Sequence, residues 1–79
     1  MSWDAVERLL ADMIVQQEAK VLALARRIVS QLTPEDLRNP HDFPLLVESA
    51  DFNFEDGILA GYKAAVVAVR AARRRPPNG

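Results

Sequence analysis

Residues 2–32 carry neither glycine nor proline, and the apolar residues Leu10, Ile14, Val21, Leu24 and Ile28 recur at alternating four- and three-residue steps, with Gln17 in the one polar seat. A seam of that period predicts one long helix over about residues 3–32. Ser2 or Asp4 can cap its start, and Asp4 and Glu7 suit the positive end of its dipole. About 30 residues at 1.5 Å each give a rod of roughly 45 Å. No single core in a chain of 79 residues covers such a rod from end to end, so it needs a partner of similar length.

The remaining sequence supplies one. Thr33-Pro34-Glu35-Asp36 restarts a short helical turn, with Thr33 as cap and Pro34 at the first helical position. Pro40 and Pro44 then hold their neighbours extended or in turns. Residues 33–52 therefore read as a connector with short helical turns, anchored by Leu37, Phe43, Leu45, Leu46 and Phe52. A second long helix is expected over about residues 53–73, capped by Asp51 or Asn53. The final residues 74–79, basic and proline-containing, read as a disordered tail.

The second helix is apolar over most of its circumference. Between residues 58 and 72 only Lys63 and Arg70 are charged. Ile58, Leu59, Tyr62, Val66 and Val69 fall on one side, and Gly57, Gly61, Ala65 and Ala68 recur at near four-residue spacing on another. A helix of this kind is buried on more than one side, and a single partner helix covers only one. Each glycine inside a helix costs about 1 kcal/mol relative to alanine, for which close approach of another helix is a sufficient reason. The same residues 58–72 fall short of the ~20 nearly uncharged residues of a membrane span, so no membrane helix is expected.

Composition makes assembly the natural expectation. Twelve of the 39 apolar residues are alanine, and there is no cysteine, so neither a large core, a disulfide nor a thiolate metal site is on offer. Below ~80 residues a single core rarely supplies more than about 3–5 kcal/mol unaided. The expected fold is all-α: an antiparallel hairpin of two long helices, a single domain over residues 1–73, dimerising into a four-helix bundle. The residues expected to pack helices or copies together are Leu10, Ile14, Val21, Leu24, Gly57, Gly61, Tyr62, Ala65 and Val69, with the seam of the first helix and the small face of the second at the interface.

Chemistry-bearing patterns are sparse. Asp51, Asn53 and Glu55 match three positions of a calcium loop, but Asp56 and Tyr62 stand where its glycine and glutamate belong. Glu48, Asp51, Glu55 and Asp56 form an acidic cluster that a divalent-metal enzyme would use, although no second acidic motif accompanies it. His41 beside Asp42 is the one pair suited to acid–base work. Asp42 fits better as a cap for the turn at Pro44. No phosphate-cradling glycine loop and no nucleophile–base set is present, so no cofactor is expected and binding is favoured over catalysis.

Charge is segregated: residues 35–57 hold seven acids and one base, and residues 58–79 hold five bases and no acid. Arg70, Arg73, Arg74 and Arg75 would be the contacts of a nucleic-acid-associated protein. The net charge of −1 and the absence of interleaved aromatics weigh against that alternative. Helix dipoles account for both clusters, acids at helix starts and bases at the end. The acidic start, Ser2-Trp3-Asp4, lacks the basic region of a secretory leader, and a cytoplasmic location is expected. Trp3 is expected to close the bundle near the arginines.

Overall fold

The computed structural model describes residues 2–75, and within them the chain is helical with no strand. Helix α1 spans Trp3–Ile28, two 3-10 turns follow at Asp36–Arg38 and Pro40–Asp42, a single turn α2 spans Pro44–Val47, and α3 spans Ala50–Arg74. The two long helices pack against each other antiparallel: Glu7 meets Arg70 and Arg73, Glu18 meets Lys63, and Lys20 meets Glu55.

Local chemistry sets the ends of these elements. Ser2 Oγ accepts from the Ala5 amide at 3.0 Å, capping α1. The far end falls at Ile28, four residues short of the expected end. Val29 is extended, and Gln31 takes a left-handed φ of 66°, which turns the chain so that Leu32 is buried. Arg26 Nε donates to the Leu32 carbonyl at 2.8 Å and holds the reversal. A side chain at positive φ costs roughly 1–2 kcal/mol, whereas glycine adopts it freely at a smaller entropic cost. Gln31→Gly is therefore expected to raise the unfolding free energy by about 0.5–1 kcal/mol. Urea denaturation checks this, and a destabilised variant would mean that the Gln31 side chain holds the turn.

The connector is ordered by reciprocal hydrogen bonds and by its apolar anchors. Thr33 donates its amide to Asp36 Oδ2 at 3.0 Å, and Asp36 returns its own amide to Thr33 Oγ1 at 3.2 Å. Leu46 and Phe52 are fully enclosed, with Leu37 and Phe43 packed against them. Leu45, expected as an anchor, instead faces outward. Asp42 does not cap the turn at Pro44: α2 starts with Phe43 in the cap position and no side-chain hydrogen bond. Helix α3 begins earlier than expected, because Ser49 Oγ accepts from the Phe52 amide at 3.1 Å, while the Asn53 side chain reaches back to the Val47 carbonyl. At the other end Arg74 is still helical and Arg75 caps α3, where a disordered tail is expected from residue 74. Residues 76–79 lie outside the described residues.

The core sits at one end of the hairpin. Val21, Ala25, Leu32, Leu46, Phe52 and Leu59 are buried, all from the connector or the helix halves beside it. The distal halves contribute only half-buried residues, among them Val6, Leu10, Tyr62, Val66 and Val69. The molecule is accordingly elongated, 50 × 20 × 20 Å, with a radius of gyration of 15.5 Å against about 12 Å for a compact chain of this length.

Candidate functional site

Helix α3 has two apolar faces, and only one is used within the chain. Phe52, Glu55 and Leu59 are buried toward α1, and Tyr62, Val66 and Val69 continue that face half-buried. Away from that face Ala50, Phe54, Gly57, Gly61, Ala64 and Ala68 follow one another at steps of four and three residues, every one exposed, with Phe54 at the edge where it borders a cleft with Lys20, Leu24 and Arg27 of α1. Phe54 is 69% exposed, and Val67, 66% exposed, stands about 100° round the helix from Ala68 and off this line. A methyl group placed on Gly57 or Gly61 would meet nothing within 4 Å, so neither glycine is required by a contact inside the chain. Ala65 lies at the edge between the two faces, half-buried.

The heptad seam of the first helix packs within the chain: Val21 is buried in the core, Ile14, Leu24 and Ile28 pack against that core, and Leu10 is half-buried. Gln17 in the polar seat is buried too, and its Nε2 donates to the Glu55 backbone carbonyl at 2.9 Å. That bond satisfies an amide that would be costly to bury alone. The seam of α1 is thus engaged by α3 and the connector within the chain.

The charged candidates separate rather than converge. Glu48 and Asp51 are exposed, Asp56 is half-buried, and Glu55 turns inward. Lys20 Nζ stands 3.0 Å from Glu55 Oε2. It pairs with the carboxylate by charge but is out of line for a hydrogen bond, so this buried oxygen has no hydrogen-bond partner. Among the described residues no three carboxylate, histidine or cysteine side chains gather as a cation site. His41 and Asp42 are both exposed on their 3-10 turn, with no third group to orient them.

The arginine cluster is partly neutralised by the first turns of α1. Arg73 Nη2 lies 2.8 Å from Asp4 Oδ1, Arg73 Nη1 donates to Glu7 Oε1 at 3.1 Å, and Arg70 Nε is 3.8 Å from Glu7 Oε2. The hydrogen bonds that it donates to Glu7 and then Asp4 hold the Arg73 guanidinium above its ordinary pKa. Two of the four arginines are thus committed to carboxylates, and phosphate would have to displace them. Arg74 and Arg75 are exposed, and Trp3 is 47% exposed rather than closing the bundle.

Two shallow clefts flank the helix pair. One, about 330 Å³, lies between Lys20, Leu24, Arg27, Phe54 and Glu55. The other, about 520 Å³, lies between Val15, Leu22, Leu37, Arg38, Leu59 and Lys63. No helix among the described residues is long and apolar enough to cross a membrane. No family model, no curated protein and no solved structure matches the chain.

Proposed function

We propose that the protein is a non-catalytic helical interaction module of the cytoplasm whose hairpin pairs with a second copy of itself, forming a homodimeric four-helix bundle. The observation that carries this reading is the uncovered face of α3, with Phe54 about two-thirds exposed on it and both glycines facing open space. Leaving a large apolar side chain such as Phe54 unburied forgoes roughly 1.5–3 kcal/mol. A face of that kind on a small domain is the usual mark of an interaction site. The unaided core lends support, since it occupies only the connector end and leaves the distal arm to be held by half-buried residues and surface ion pairs. Exposed ion pairs contribute little.

Light scattering at micromolar concentration is expected to give twice the 8.8 kDa chain mass, with helical circular dichroism throughout. A monomer mass with helicity fully retained would end the reading.

A further inference from the structure

The geometry points to a defined arrangement of that second copy: α3 packs on α3 of the partner in the antiparallel sense, about a two-fold axis at Gly61, with Phe54 seated against the partner's Ala68. This inference rests on the self-association proposed above and adds the face, the direction and the register.

Charge sets the direction. Glu48, Asp51 and Asp56 lie just before or within the first two turns of α3, and of the arginines that end it Arg70 and Arg73 are held by Glu7 and Asp4 of α1 while Arg74 and Arg75 are exposed. Two copies side by side in the parallel sense would place acid beside acid and arginine beside arginine, with both helix dipoles aligned. The antiparallel sense places each acidic start beside an arginine-rich end and opposes the dipoles. Among the described residues Arg74 and Arg75 make no ion pair within the chain, so they are available to the partner's acids.

Size sets the register. The exposed face is uneven: one large side chain, Phe54, near its start, two glycines in its middle, and Ala64 and Ala68 beyond them. Residues 54 and 68 lie seven positions on either side of Gly61, about 10 Å along the axis. A two-fold axis at Gly61 therefore brings each Phe54 over an alanine, the large knob into the small hole, twice per dimer. The parallel sense would stack Phe54 on Phe54 and leave Ala68 facing Ala68. Glycines at the centre let the backbones approach closely.

Area is sufficient. The chain exposes 5891 Å² where a compact monomer of its mass would expose about 4,800 Å². That excess, roughly 1,100 Å², is comparable with the ≈ 800 Å² that a standard interface removes from each partner.

The chain has no cysteine, so disulfide trapping of single-cysteine variants reads the arrangement directly. Mixing Phe54→Cys with Ala68→Cys chains under oxidation is expected to yield mainly the mixed cross-linked dimer, and Gly61→Cys to link to itself. Gly57→Cys mixed with Ala64→Cys, which keeps Phe54 in place, is expected to give a mixed product as well. Self-linked Phe54→Cys and Ala68→Cys without a mixed product would overturn the antiparallel sense and leave self-association standing. A dimer by light scattering with no cross-link at any of these positions would overturn the choice of face. A monomer would remove the underlying reading together with this one.

Discussion

Phe52→Ala is expected to abolish the cooperative thermal transition at low micromolar concentration, leaving a chain of reduced and non-cooperative helicity. Phe52 is 2% exposed and is among the largest fully enclosed side chains. Truncating a buried phenylalanine costs about 3–5 kcal/mol, because the lost transfer energy is joined by the cavity it leaves. A core of this size supplies only about 3–5 kcal/mol in total. The six buried apolar residues all lie at the connector end, so no second cluster stands in reserve. Assembly adds a concentration-dependent increment, and raising the protein concentration should restore part of the transition. Leu9→Ala, at a position 53% exposed on α1, is the matched control and should change stability by less than about 0.5 kcal/mol. Thermal circular dichroism of both variants decides the matter. A Phe52→Ala melt close to that of the unaltered protein would mean that the hairpin is held by something other than this core.

The dependence on one end of the hairpin was only half legible in the sequence. Periodicity identified the inward face of α1, since the 4-3 spacing of Leu10, Ile14, Val21, Leu24 and Ile28 follows directly from helix geometry. It did not say which helix that face would meet, because a seam of leucine and valine suits an intramolecular neighbour as well as a second chain. The early end of α1 left no trace: residues 29–31 contain no glycine or proline, and a glutamine takes the left-handed turn. Burial of Glu55 was equally hidden. A glutamate in the second turn of α3 reads as a dipole partner, and only the antiparallel register brings Lys20 within 3.0 Å of it. Residue type does not single out Ser49 as the cap, because Asp51 and Asn53 are equally suitable, and the chain's path out of α2 decides among them.

The apolar excess of α3, by contrast, was visible from composition, and the structure adds that one side of it stays open. Gly61 therefore offers the test with the largest effect on assembly, and two substitutions there should act in different ways. Gly61→Ala adds a methyl group that meets nothing within 4 Å of its own chain and removes a residue about 1 kcal/mol worse than alanine in a helix. The hairpin should gain roughly that much. Gly61→Leu has nearly the same helix propensity as alanine, so the isolated hairpin should again gain stability. Its larger side chain would force apart two helices that meet at Gly61, and the two-fold axis doubles the strain. At about 1–3 kcal/mol for each overpacked position, dimer affinity should fall on the order of a hundredfold. Sedimentation equilibrium should then show a helical monomer at concentrations where the unaltered chain is a dimer. If Gly61→Leu dimerises as tightly as the unaltered chain, no helix crosses that position and the open face of α3 is not the interface. If it dissociates while remaining folded, the glycine serves contact between chains, since nothing within the hairpin requires it.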